Sequence, residues 1–501
     1  MTVKLVFEYE EGVLRKFSVI SMLIILSFLC GTSTPAAAAP WEAKVDGWVM
    51  ETADQGETEF LVLLKEQADL SQAARLATKA ARGQFVYQAL RATAQRSQAP
   101  VILVLQQMGA AYRPYWIVNA LWVRGDLGVI AALAARSDVA HLYANPSVKL
   151  DAPVAQNSVE GLPEGIEWNI TLVGAPDVWA LGYTGQGVVV GGADTGYEYN
   201  HPALINQYRG WDGSAADHDY NWYDATAEAS LTPTDPVGHG THTMGTMVGD
   251  DGGVNQIGMA PGARWIGCRN MDASGAGTPE TYIACYQWFI APTRVDGLSE
   301  PRPDLAPDVI NNSWSCPTSE GCKEPDVLLQ AVQNVRAAGI LTAHSAGTSG
   351  PNCSTVNAPA GIYAESFTVG ATTSTDALAS FSSRGPVTVD GSNRAKPDIS
   401  APGVSVRSCY KNGSYVLMSG TSMASPHVAG MVALLISMDP SLRGQVEALE
   451  TAIEQSAKQI SSTECSSTGV PNNLYGWGRI QAFEAYRLLV PERIFLPLTL
   501  K

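Results

Sequence analysis

An α/β fold with a mainly parallel sheet is what residues 167–490 predict, preceded by a smaller α+β unit. Three observations carry this. Through 167–490, short Val-, Ala- and Ile-rich runs alternate with helical stretches, as when strands are joined by crossover helices that cover both faces of a sheet. A β-branched run, Val188-Val189-Val190, leads into Asp194-Thr195-Gly196. That sets a carboxylate at the carboxyl end of a buried strand, where such sheets place their sites. Residues 42–150 read in the order β-α-β-β-α-β, that of a small open-faced, ferredoxin-like sandwich.

The chain has 501 residues, 46% hydrophobic and 16% charged, with a net charge of −16 and a pI of about 4.9. The size suggests two or three units. The acidic balance argues against nucleic acid and against an anionic membrane surface as partners. Residues 1–39 read as an export signal. Arg15-Lys16 supplies the positive region, 17–29 the apolar region, and 36–39 small-residue cleavage sites. Pro40 disfavours cleavage after Ala39, so cleavage after Ala38 is expected. The apolar region is too short to span a bilayer, so no stable membrane insertion is expected.

In the leading unit, 59–64 reads as a strand, 70–98 as a helix, 100–105 and 115–123 as strands, 126–136 as an amphipathic helix and 139–142 as a last strand. Residues 151–166 form a polar, extended linker. In the larger unit the strand candidates are 188–193, 263–268, 308–313, 340–345 and 366–371. The helix candidates are 242–249, 280–290, 326–338, 425–438 and 442–456. The apolar tail 491–501 is too short to span. Removing the signal takes Cys30 and leaves Cys268, Cys285, Cys316, Cys322, Cys353, Cys409 and Cys465. No CxxC pair occurs, so disulfides rather than zinc are expected. Cys316–Cys322 is the first choice of pair, Cys268–Cys285 the second and Cys409–Cys465 the third, with Cys353 left over.

Three Gly-punctuated stretches bear on chemistry. Asp194 is in the first. Gly238-His239-Gly240-Thr241-His242 opens a small-residue helix. Ser419-Gly420-Thr421-Ser422 is a tight turn running into an apolar helix that contains His427. Gly420 there would permit backbone that bulkier residues resist. A Ser at a helix start is commonly an N-cap, and there it can equally be a nucleophile, because free backbone N–H groups favour negative charge. Either His239 or His242 could be its base on spacing alone.

These stretches, in the order Asp, His, Ser, resemble the motifs of the subtilisin-like serine proteases (subtilases, peptidase S8). The likeness extends over 167–490 through Asn311-Asn312-Ser313-Trp314, Phe381-Ser382-Ser383-Arg384-Gly385-Pro386 and Ala401-Pro402-Gly403, and its wording is nearest the bacillopeptidase F-like branch. The resemblance implies a subtilisin-like three-layer fold. It implies Ser422 as nucleophile, His239 as base and Asp194 as its orienting partner, with acyl-enzyme hydrolysis of polypeptide substrates. It implies that 42–150 is an inhibitor I9-type propeptide acting as an intramolecular inhibitor, cut off within 151–166, and a secreted monomer. His201, His242, His344 and His427 are expected to be structural.

The backbone N–H of Ser422 would meet the oxyanion. Its usual partner is an Asn; here Ser345-Ala346-Gly347-Thr348-Ser349 puts Thr348 in that place, a shorter donor. A fold-only binding protein with weak or lost catalysis is the alternative this departure raises. Ser313, Trp314 and Ser315 would line one wall of the primary pocket, and Ser345, Ala346 and Gly347 the other. No acidic residue marks a pocket for basic side chains, so a broad preference leaning to large apolar ones is expected. No cofactor is needed for the chemistry, but calcium is common in the family, and Asp250 and Asp251 lie where one site's loop would be.

Overall fold

The computed structural model describes residues 41–150, 154–156, 165–296 and 301–490. The signal, most of the linker and the tail lie outside the described residues.

The leading unit comprises α1 (Gly47–Ala53), β1 (Thr58–Leu64), α2 (Lys79–Met108), β2 (Ala111–Tyr115), β3 (Ala120–Gly125), α3 (Leu127–Ala134) and β4 (Val139–Ala144). Its strands lie in the order β2-β3-β1-β4, every pair antiparallel. An antiparallel sheet commonly leaves one face to water, but β1 is apolar on both faces because both are covered. Phe60, Val62 and Leu64 enter the unit's own core, while Leu61 and Leu63 pack towards the larger unit.

Two expectations fail here. Residues 100–105 are helix, not strand: α2 runs straight through Pro100. The proline leaves the Arg96 carbonyl without its helical donor, at a cost of about 3 kcal/mol. Burial outweighs it. Val101 and Leu105 are fully buried while Leu103 is 58% exposed, a helical spacing of four. Each buried side chain returns about 1.5–3 kcal/mol. Gly109, at φ 70, then ends the helix. Residues 115–123 are not one strand but the turn of a hairpin, β2 to β3. Asn119 takes a positive φ of 45, which Asn tolerates better than most residues. The turn is apolar because Ile117 and Val118 are buried against the larger unit.

The larger unit is built on a fully parallel seven-stranded sheet. Its strands are β6 (Val189–Asp194), β7 (Trp222–Asp224), β8 (Arg264–Arg269), β10 (Val309–Asn312), β11 (Leu341–Ser345), β12 (Phe367–Thr372) and β13 (Ile399–Pro402). Two short strands stand apart from it, β5 (Val148–Lys149) and β9 (Ala276–Gly277). The order across the sheet is β13-β12-β11-β10-β6-β8-β7. Chain direction across the sheet reverses at β6, which opens a crevice at the carboxyl ends of β6 and β10.

One face carries α4 (His239–Val248), α7 (Thr421–Met438) and α8 (Val446–Ser456); the other carries α5 (Pro279–Ile290) and α6 (Leu329–Ala337). Helix α7 is apolar and long enough to cross a membrane, yet all of it is buried in the protein. The sequence underestimates its start by four residues because Pro426 lies inside it. Between β13 and α7 comes a hairpin, β14 (Val406–Tyr410) and β15 (Ser414–Ser419), and after α8 a last helix, α9 (Ala482–Leu489). In the linker, Val154–Gln156 pairs with β15.

Disulfides join Cys268 to Cys285 and Cys316 to Cys322, as expected. The third pairing differs: Cys353 joins Cys465, and Cys409 is a buried free thiol that donates to the Thr241 carbonyl. Connectivity between distant cysteines depends on the fold, and Cys409 sits on the edge strand β14, facing α4.

Candidate active site

Asp194 closes β6 and is fully buried. His239 is the first residue of α4. Its helix can start there because Gly238 takes φ 95; a side chain at that position would strike the Tyr410 ring at 2.3 Å. Gly240 lets the helix approach β6 so closely that a Cβ would lie 2.1 Å from the Gly196 carbonyl oxygen. The result is a bond from His239 Nδ1 to Asp194 Oδ1 of 2.6 Å. Asp194 also accepts from the Thr195 N–H at 2.8 Å and the Thr243 hydroxyl at 3.2 Å. Burial opposes a charged His239 ring, but the Asp194 carboxylate outweighs it and its pKa is raised. Nε2 of His239 is buried and has no hydrogen-bond partner among the described residues.

Ser422 lies in the first turn of α7, where backbone N–H groups have no intrahelical acceptor. Pro426 removes the donor that the Ser422 carbonyl would meet one turn later. Ser313, just past β10, replaces it: its hydroxyl donates to that carbonyl at 3.1 Å, and the Ser422 hydroxyl donates back to the Ser313 carbonyl at 3.3 Å. Asn311 fixes the arrangement, donating to Ser313 Oγ at 2.9 Å and accepting from Ser425 Oγ at 2.7 Å. Since β10 neighbours β6, Ser422 and the Asp194–His239 pair share one end of the sheet. The Ser422 hydroxyl rests on Ser313 and not on the imidazole. Gly420 is extended, at φ 171, so its φ does not demand glycine, contrary to expectation.

The other histidines are buried or part-buried. Burial lowers His242 to about 3 and His427 to about 4. Nε2 of His242 donates to the Val406 carbonyl at 3.1 Å, and His427 bonds Asn169 and the Met423 carbonyl. His201 meets the Ser414 carbonyl. His344 bonds the Tyr286 hydroxyl at 3.3 Å, but its Nδ1 has no partner among the described residues, so it is only half satisfied.

A cavity of about 140 Å³ opens at the carboxyl ends of β10 and β11. Trp314, Ser315, Ser345, Ala346 and Gly347 all line it. Ser313 is buried and serves Ser422 instead. Trp314 stacks on Tyr282 with ring centres 3.9 Å apart, which holds its plane still. Thr348 is half-buried on the loop after Gly347, whose N–H bonds Thr421 Oγ1 at 3.1 Å. The expectation of no acidic residue fails: Glu320 lines the cavity. It sits in the loop that Cys316–Cys322 closes, and the short Cys spacing next to Trp314-Ser315 was the available signal. Asp235 was also missed. Its buried carboxylate takes the Gly238 and Thr241 N–H groups and the Thr195 and Thr241 hydroxyls, which anchors the start of α4.

The Asp250 and Asp251 carboxylates bond within their own loop. Asp250 accepts from Gly252, and Asp251 accepts from Gly253 and from both donors of Asn255. No group of three or more His, Cys, Asp or Glu that could hold an ion occurs among the described residues.

Comparison with known proteins gives the same picture. The model of the Subtilase family matches residues 185–478. Bacillopeptidase F of Bacillus subtilis (strain 168) is 36% identical over 465 residues, 86% of this chain but 31% of that protein, so the chain spans less than a third of that relative's length. Subtilisin DY of Bacillus licheniformis is 35% identical over 279 residues, 55% of this chain and 86% of its own. Subtilisin Savinase of Lederbergia lenta is 31% identical over 329 residues, 65% of this chain and all of its own. With a parallel sheet, a buried Asp–His pair and a Ser at the head of the central helix, this chain belongs to the subtilase family of subtilisin-like serine peptidases.

Proposed function

We propose that this protein is a secreted endopeptidase, made as an autoinhibited precursor, that hydrolyses polypeptides through Ser422, His239 and Asp194. The observation that carries the reading is the 2.6 Å bond from His239 Nδ1 to Asp194, which leaves the buried Nε2 free to take a proton. In the reaction, the Ser422 hydroxyl turns from the Ser313 carbonyl to Nε2 and attacks the substrate carbonyl carbon as Nε2 accepts its proton. Asp194 keeps the proton on Nδ1 and stabilises the imidazolium. The oxyanion meets the Ser422 N–H, with Thr348 as the side-chain donor. The imidazolium then protonates the leaving amine, and water releases the acyl group by the same steps in reverse order.

Supporting autoinhibition, β5 of the leading unit pairs antiparallel with β9 beside the cavity, the way a peptide adds to a sheet edge. Residues 42–150 would thus be the I9-type propeptide, and cleavage within 151–166 would release the enzyme. Three disulfides suit an oxidising compartment. The test is a peptide-cleavage assay of matured protein against Ser422→Ala. The reading expects loss of about 10⁶ in kcat, the scale known for removing a subtilisin nucleophile. Equal cleavage by both proteins contradicts it.

A further inference from the structure

The segment ending the leading unit shows how an extended peptide lies beside the cavity. Val148 and Lys149 pair with Gly277 and Ala276, and the Leu150 N–H donates to the Gly275 carbonyl at 2.8 Å. Alternate residues of such a strand turn their N–H groups to opposite sides. The Lys149 N–H therefore points away from β9. It finds the Glu320 carboxylate, at 2.8 Å.

Glu320 is placed there by covalent and local means. The Cys316–Cys322 disulfide closes its loop, and both cysteines are buried. The Glu320 N–H bonds the Pro317 carbonyl at 3.0 Å, and the Cys316 N–H bonds the Pro359 carbonyl at 3.1 Å, across the cavity wall. Glu320 is the one titratable side chain among the described residues lining the cavity.

We propose that Glu320 is a substrate-binding residue, accepting the main-chain N–H of whichever substrate residue pairs with Ala276, so that β9 and a carboxylate grip the peptide from opposite sides. This rests on the peptidase reading above. The contact is to the backbone, so it serves any substrate sequence except one with proline or an N-alkylated residue at that position. A hydrogen bond to a charged acceptor is worth about tenfold or more in binding.

The test uses enzyme matured from the full chain. A quenched fluorogenic peptide and four analogues, each N-methylated at one of the four residues on the acyl side of the cleaved bond, are compared on wild type, Glu320→Ala and Glu320→Gln. In wild type, methylation at one position lowers kcat/KM about tenfold through Glu320. Glu320→Ala loses about tenfold on the parent peptide and nothing further from that methyl group. Glu320→Gln keeps an acceptor oxygen and recovers at least a third of the parent activity. Glu320→Ala within twofold of wild type, or an undiminished methyl effect in it, overturns the proposal. If Glu320→Ala does not mature, the wild-type scan and the Gln variant decide: a wild type indifferent to methylation at all four positions overturns it, as does a Gln variant retaining less than a tenth of parent activity. A wild type that cleaves no peptide overturns the peptidase reading and Glu320 with it, whereas cleavage without dependence on residue 320 overturns Glu320 alone.

Discussion

At His239 two forces compete, burial against the charged ring and the Asp194 carboxylate for it, and the carboxylate prevails. The neutral ring is the base, so activity should fall on the acid side, with an apparent pKa above the usual value of about 6.5. A raised folded-state pKa also means that this pair stabilises the fold fully below about 6.5 and that the contribution fades as pH rises through the raised value. Asp194→Asn leaves burial opposed only by the weaker pull of the Asp235 carboxylate. Its pH–rate profile should shift its acid limb to lower pH, with kcat down about 10⁴, the scale known for the equivalent change in another serine protease. An unmoved limb would show that Asp194 does not set the ring's charge. In the proposed mechanism Thr348 takes the part of a side-chain amide that is worth about 10²–10³ in kcat in subtilisin. Thr348→Asn should raise kcat by more than about threefold; a smaller gain means the threonine or a neighbour already serves. Asp, His and Ser were readable because each stands beside glycine punctuation. Asp235 and Glu320 were not, because each acts through backbone groups that only the folded chain brings to it.

Elements were legible where burial has one period. Five of the seven parallel strands and the amphipathic helices of the larger unit lie within a few residues of their expected places; the edge strands β7 and β13 were not expected, being only three and four residues long. The failures share a cause: proline and apolar turns were read locally, and packing overrode them. Pro100 sits inside α2 because Val101 and Leu105 are buried, and the apolar turn at Ile117 is hidden by another unit. Pro426 gives up a helical bond that Ser313 replaces. The head of α4 is equally exacting. Gly238→Ala must relieve both a positive φ and a clash with Tyr410. Strain of about 1–3 kcal/mol is expected. Thermal melting should show a lower Tm and peptide assays a reduced kcat. A variant with unchanged melting and rate would mean that the turn adapts freely.

Across the whole molecule, the leading unit is held by more than the pairing of β5 with β9. Glu280, at the start of α5, is buried and bonds both Arg113 and the Tyr115 hydroxyl of β2. The Gln287 side-chain Oε1 accepts from the Trp116 and Ile117 N–H groups at 2.7 and 3.2 Å. Lys79, with its pKa lowered by burial, reaches the Ala306 carbonyl at 2.7 Å and lies 3.5 Å from Asp308, which Arg443 also pairs. None of this was visible in the sequence, because each contact joins residues more than 130 positions apart. Glu280→Ala leaves the buried Tyr115 hydroxyl without its acceptor, so it should loosen the leading unit and shorten the lag before precursor becomes active; an unchanged lag would place the hold elsewhere. The most direct test of the account is the site of covalent labelling by a fluorophosphonate in matured protein, read by peptide mass. It predicts one adduct, on Ser422, formed more slowly at acid pH. An active enzyme labelled elsewhere, or not at all, would contradict it.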